Sequence, residues 1–330
     1  MKMRLSTVLL GLAVAGVAAG QAEDVHVQVS PQYKMSASDS FHFPTIQNAL
    51  DHAPDVAPGD RLYIHIAPGT YSERISVSNF RPRTTLLGMG SDPSKVVITA
   101  AQNVKTAQST FFSETAEILA EDFQADNLTF ENAAGNTGQA LAITVTADRA
   151  IFKHCRFIGF QDTVYAEYGR QYYVDSYIEG AVDFIFGNAA AVFDKSEIHS
   201  TRGGFLTAQA RTSPQQKTGY VILNSRVTAD SGNDPRKILL GRAWRPYALT
   251  VFIHTDLPAA IDPRGWNDWD KDTKNIFYGE YENTGAGADP AGRVPWAHKL
   301  TAAEAKSFEP QNFLAGTDHW NPVAVAAKMQ

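Results

Sequence analysis

With 330 residues, a formal charge of −6 and a pI near 5.8, the chain is long and acidic. It lacks the basic stripe that nucleic-acid binding requires. Its single cysteine, Cys155, excludes an intramolecular disulfide; an exported chain without disulfides fits a bacterial source better than a plant or animal one.

Met1-Lys-Met-Arg4 is a short positive start, followed by an apolar run from Leu5 to Ala19 and small residues through Ala22. The run is shorter than the ~20 residues of a membrane-spanning helix, and its order predicts a signal peptide over residues 1–22, cleaved after Ala19, Gly20 or Ala22. No cysteine follows it to carry a lipid. The chain is therefore expected to be secreted or periplasmic, with no stable membrane anchor. Residues 23–330 show no low-complexity linker, heptad run or second apolar span, which predicts one domain. It is expected to be a monomer.

Ile46, Ala49 and Leu50 stand at helical spacing after Thr45, which can cap, so one short helix is expected within Phe43–His52. Alternating strands follow at Arg61–Ile66 and around Tyr71–Val77, separated by the turn Ala67-Pro-Gly-Thr70. Further strands are expected at Thr84–Leu87, Val96–Thr99, Phe123–Phe130, Gly219–Thr228, Ala248–His254 and Asn275–Tyr281. From about Pro258 onward the texture changes to tryptophans, glycines and prolines. This predicts a long loop, then a cap containing a helix over Thr301–Phe308.

The centre of the chain repeats itself. Phe152-Lys-His-Cys-Arg-Phe157 recurs as Tyr173-Val-Asp-Ser-Tyr-Ile178 and as Phe193-Asp-Lys-Ser-Glu-Ile198, each read as a short strand. Strand repeats of roughly 20 to 25 residues are the signature of a parallel β-solenoid. The fold class is accordingly all-β, a parallel β-helix with short helical caps at its ends, and Cys155 is a small core residue of the coil pattern. The shift that relates Cys155 to Ser176 also relates Asp162 to Asp183. Equivalent places on neighbouring coils lie about 4.8 Å apart, so these carboxylates would titrate as a pair, a base or nucleophile beside a proton donor. Stacked aspartates can equally form a structural ladder, and spacing alone does not separate the two. The chain has no His-Glu-x-x-His zinc pattern and no Gly-x-Ser-x-Gly serine elbow. Asn127-Leu-Thr129 fits the glycosylation pattern but falls in an expected strand.

Several blocks, in order, resemble the pectinesterase family: Gly69-Thr-Tyr-Ser-Glu73, Gly138-Gln-Ala-Leu-Ala142, Gln161-Asp-Thr-Val164, Gly180-Ala-Val-Asp-Phe-Ile-Phe-Gly187 and Leu240-Gly-Arg-Ala-Trp244. The resemblance covers roughly Phe43 to Pro322. It implies a right-handed parallel β-helix whose cleft hydrolyses the methyl esters of galacturonate units in pectin, without metal or cofactor. By the same resemblance Asp183 is the nucleophile, Asp162 the general acid and later base, Gln139 and Gln161 the oxyanion donors, and Arg242 the residue that holds Asp183. Tyr165, Phe186 and Trp244 would line the cleft. Ala243, Ala181 and Val164 depart from the Pro, Thr and Leu often found in the family, which touches packing and not the reacting groups. Three other readings stand beside this one: a glycoside hydrolase using the same two carboxylates, a hydrolase of another ester or thioester, and a non-catalytic polysaccharide-binding solenoid.

Overall fold

The computed structural model describes residues 23–230 and 238–329. The signal peptide expected at 1–22 lies outside them. Strands stack into three parallel sheets of twelve, seven and eight strands, and from Leu62 to Ile253 successive strands visit the three sheets in turn. Crossovers between parallel strands turn right-handed, and the result is a right-handed parallel β-helix.

One coil illustrates the path. Ala150–Lys153 lies in the twelve-stranded sheet, Arg156–Ile158 in the seven-stranded sheet and Val164–Ala166 in the eight-stranded sheet. The next coil repeats it with Arg170–Val174, Tyr177–Gly180 and Ile185–Gly187. Phe152 pairs with Tyr173 and Tyr173 with Phe193. Their rings stack inside the coils at 4.8 and 4.6 Å between centroids. Each ring thus covers the one below it, and a single apolar core runs from Val27 to Tyr278.

The repeat Phe152–Phe157 is not one strand. His154, Asp175 and Lys195 take φ of 50°, 51° and 51°, and this left-handed step turns the chain from the first sheet into the second. Hydrophobic alternation continues through the corner, which is why the sequence reads as uninterrupted. For the same reason the strand expected over Phe123–Phe130 divides at Asn127 into Gln124–Asp126 and Thr129–Asn132, and Gly219–Thr228 divides at Asn224 into Gly219–Leu223 and Arg226–Ala229.

Behind His154, Asp175, Lys195 and Asn224 sits a small buried residue. The backbone N–H of Cys155 donates to Ser176 Oγ at 3.1 Å, that of Ser176 to Ser196 Oγ at 3.2 Å, and that of Ser196 to Ser225 Oγ at 3.0 Å. Each hydroxyl in turn donates to the carbonyl two residues back. Cys155 is fully buried at the start of this ladder, where burial pushes its thiol well above the ordinary range. It is a packing residue and not a nucleophile. Asn127 spends its amide on the carbonyls of Gly88 and Gly90, both at 2.9 Å, so its Nδ2 is engaged by the fold.

Both expected helices form. Ile46–His52 is capped by Thr45, and Ala302–Ser307 by a reciprocal box of Thr301 and Glu304. The C-terminal segment docks on the stack through Arg170. Its guanidinium pairs with Asp148 and Asp318, donates to the carbonyls of Leu314 and Ala315, and lies over the Trp320 ring at 5.4 Å. Removing the guanidinium leaves both carboxylates with Arg149 as their cation, at 3.2 and 3.5 Å, and strips the Leu314 and Ala315 carbonyls and the Trp320 ring of their partner. Arg170→Ala is therefore expected to destabilise the fold by about 1–3 kcal/mol. Thermal unfolding checks this, and limited proteolysis should first cut within residues 314–329.

Candidate active site

The third sheet carries the site, because its strands are short and its outer face collects polar and aromatic side chains. Across this sheet Thr144 pairs with Tyr165, Tyr165 with Phe186, Phe186 with Ala208 and Ala208 with Arg242, a single row along the helix axis. Val164 pairs with Ile185. Asp162 and Asp183, each two residues earlier, therefore occupy equivalent places on adjacent coils, as their spacing predicts.

Both aspartates are left-handed, with φ of 65° and 51°. Asp tolerates this conformation better than most residues because its short polar side chain can bond locally. The turn into Asp183 also needs Gly180, where a Cβ would stand 2.3 Å from that of Phe184. Asp162 is 8% exposed and Asp183 6%.

Their environments differ. Arg242 Nε donates to Asp183 Oδ1 at 2.8 Å, and its Nη2 donates to Oδ2, a two-pronged grip on one carboxylate. Burial raises the Asp183 carboxyl, and the Arg242 bond and charge pull it back toward ionisation. Asp162 has no cation bonded to it. Burial and then the nearby Asp183 charge push its carboxyl up to about 8, against a smaller opposing pull from Arg242. Two buried carboxylates thus separate into one held as an anion and one that keeps its proton at neutral pH.

Gln139 and Gln161 come together with them. The Ala140 N–H donates to the Gln161 carbonyl and the Asp162 N–H to the Val182 carbonyl, each at 3.1 Å, and Gln161 is bridged to Val182. Gln139 and Gln161 thus precede equivalent residues on successive coils. Gly138, at φ 126°, delivers the chain to Gln139. Both side chains are half-buried, and neither amide is taken by another protein group among the described residues. A structural ladder would have bonded them to each other.

Tyr165, Phe186 and Trp244 also meet. Tyr165 stacks on Phe186 at 4.6 Å, and Phe186 meets Trp244 at 5.8 Å. The structure adds members that the sequence reading missed. Phe111, almost half exposed, extends the strip by packing on Tyr165 at 5.1 Å. The Arg242 guanidinium is sandwiched between Phe205 at 4.2 Å and Trp269 at 3.6 Å. Neither residue lies in a repeat or near Asp162 or Asp183 in sequence; the structure brings Trp269 to the site because Arg242 pairs with Asn267, two residues before it. Ala243, Ala181 and Val164 are buried, so these departures are packing substitutions. Among the described residues no three His, Cys, Asp or Glu side chains converge as a metal site.

The arrangement offers an anionic nucleophile, a neutral acid beside it, two free amide donors and a strip of rings. A family pattern described as Pectinesterase matches residues 33–317. The chain is 38% identical over 303 residues to "Pectinesterase/pectinesterase inhibitor U1" of Solanum lycopersicum, covering 87% of this chain and 52% of that protein. The chain spans about half the length of several of the curated relatives it matches. Its structure is similar to that of pectin methylesterase from carrot, with a TM-score of 0.83 and 34% identity over 91% of this chain and 96% of the other. A pectin methylesterase in complex with a hexasaccharide superposes with a TM-score of 0.75 at 30% identity, over 91% of this chain and 99% of the other.

Proposed function

The chain belongs to the pectinesterase family, and from that premise we propose that it hydrolyses the methyl esters of galacturonate units in pectin, releasing methanol and leaving the polymer backbone intact. The observation that carries this reading is the grip of Arg242 on Asp183 with a proton-retaining Asp162 one coil away.

In the proposed reaction an Asp183 oxygen attacks the ester carbonyl carbon. The carbonyl oxygen becomes negative and takes hydrogen bonds from the Gln139 and Gln161 amides, each such donor worth roughly 3 kcal/mol of barrier. Collapse breaks the bond to the methoxy oxygen, which leaves as methanol with the proton of Asp162. Asp162, now an anion, takes a proton from water as that water attacks the acyl-enzyme. The galacturonic acid departs and gives its remaining proton to solvent, and Asp183 and protonated Asp162 are restored. Tyr165, Phe186 and Trp244 offer apolar ring faces to the sugars. The hexasaccharide bound by the related enzyme supports a cleft that holds several units.

We further propose one domain over residues 23–330, a monomer, and export by the signal peptide to the periplasm or the medium, where pectin is met. No helix among the described residues is long and apolar enough to cross a membrane. The direct test is methanol release from highly methylated pectin while viscosity reports chain length. Methanol without a fall in viscosity supports the reading; chain shortening points to a glycoside hydrolase, and no methanol across a broad pH range removes it.

The aromatic clamp gives a subsidiary expectation. A partly desolvated cation–π contact is worth about 1–2 kcal/mol, so Trp269→Ala should lower kcat roughly tenfold, since 1.4 kcal/mol is a factor of ten. KM should change little. Because a looser Arg242 holds the Asp183 anion less well, the acid limb of the pH profile should also move upward. Trp269→Phe should restore both; a loss of stability alone would leave the acid limb in place.

A further inference from the structure

One carboxylate bordering the aromatic strip has no part in the reaction above. Glu167 follows Tyr165 by two residues and therefore emerges on the same face of the chain. It lies beside the Tyr165 hydroxyl and accepts the Asn188 N–H at 3.2 Å. Thr218 Oγ1 in turn donates to Asn188 Oδ1 at 2.8 Å. A half-buried acid is thus fixed by the next coil against the ring that stacks on Phe186. At the other end of the strip the exposed Arg245 lies over the Trp244 ring at 5.1 Å. Burial raises the Glu167 carboxyl, and the Asn188 bond and the Arg245 charge pull it back toward ionisation.

A galacturonate unit lying on these rings is neutral while esterified and anionic once hydrolysed. Only the second form feels a fixed carboxylate. Building on the pectinesterase reading, we propose that Glu167 is a specificity residue that rejects de-esterified galacturonate from the part of the cleft floored by Tyr165. That end of the cleft then takes esterified units. Arg245 favours carboxylates toward the Trp244 end, and the charges of Asp162, Asp183 and Arg242 stay with the reacting ester. The discrimination is electrostatic, so it requires the charge of Glu167 and not merely its shape.

Glu167→Gln removes the charge and can keep the Asn188 hydrogen bond, whereas Glu167→Asp keeps the charge on a shorter arm. Binding of fully de-esterified hexagalacturonate is measured by calorimetry for the parent and both variants, with KM on highly methylated pectin measured alongside. The Gln variant should bind the hexamer about three- to tenfold tighter, the size of one unit-charge repulsion acting through water, and this gain should shrink at high salt. The Asp variant should stay close to the parent. Equal affinities for parent and Gln variant overturn the proposal. Equal changes in both variants also overturn it, because they would mean that Glu167 positions Tyr165 and does not repel. Failure of the parent to release methanol sinks the pectinesterase reading and this proposal with it; methanol release with an unchanged Gln variant sinks only this one.

Discussion

Asp183→Asn is expected to abolish methanol release, lowering kcat by about four orders of magnitude or more, as loss of a covalent nucleophile does elsewhere. The Asn variant is the cleaner probe because residue 183 is left-handed. Asn accepts that conformation, whereas Ala adds a backbone cost of roughly 1–2 kcal/mol to the chemical loss. The substitution also leaves the Arg242 guanidinium without its anion, still clamped between Phe205 and Trp269. Some destabilisation is therefore expected, and circular dichroism should show a folded β-helix. Substrate binding should persist, since the aromatic strip is untouched. Residual activity within tenfold of the parent would remove Asp183 from the nucleophile's place.

Asp162→Asn carries two expectations of opposite sign. A general acid contributes typically 10²–10⁴-fold, so kcat should fall by about that factor. In the parent, activity should decline as pH rises through about 8, where Asp162 loses the proton it must donate. On the acid side it should decline as Asp183 is neutralised. The variant should lack the alkaline limb. Stability should move the other way. The folded carboxyl holds its proton up to about 8, far above the usual value of 3.8, so between those values the folded state binds more protons than the unfolded one. The stability this gives is full below about pH 4 and is lost as pH rises through about 8. Asparagine carries no such dependence. The variant should therefore gain thermal stability over the parent at pH 8 and differ little at pH 4. A difference that does not depend on pH would contradict the burial of a protonated acid.

The solenoid and the pairing of the two aspartates were legible because both follow from one period. Val164 and Ile185 share a register, and the aspartates two residues earlier inherit it. What periodicity could not show were the corners. The apolar alternation that marks a strand runs through Asn127 and His154 as if nothing turned there, because the residue behind each corner, Leu128 or Cys155, is as buried as a strand residue. Arg242 was reached only through the family resemblance. It comes two coils after Asp183, beyond the loop of Ala210–Thr218 and the segment after Asp230, and no repeat counts across loops of unequal length. Phe205, Trp269 and Phe111 were not reached, since a ring beside a guanidinium or another ring is a fact of three-dimensional packing without local pattern. Glu167 had a neighbour in the Gln161–Val164 block but no feature to distinguish it from a solvated surface acid.

The corner between the first and second sheets takes two residues in each coil of the central stretch, as between Lys153 and Arg156, Val174 and Tyr177, Asp194 and Glu197, and Leu223 and Arg226, and widens to seven between Gly88 and Val96. The connections flanking the third sheet have no such fixed length: three residues separate Ser200 from Gly204, nine separate Gln209 from Gly219, and five separate Ala243 from Leu249. Through the coils that carry Asp162 and Asp183, changes of length thus fall on the side of the third sheet. There one edge of the molecule acts as a spine that counts coils, while the opposite edge can be rewritten loop by loop. A lineage can therefore explore new polymer preferences without placing the frame that aligns Asp162 with Asp183 at risk.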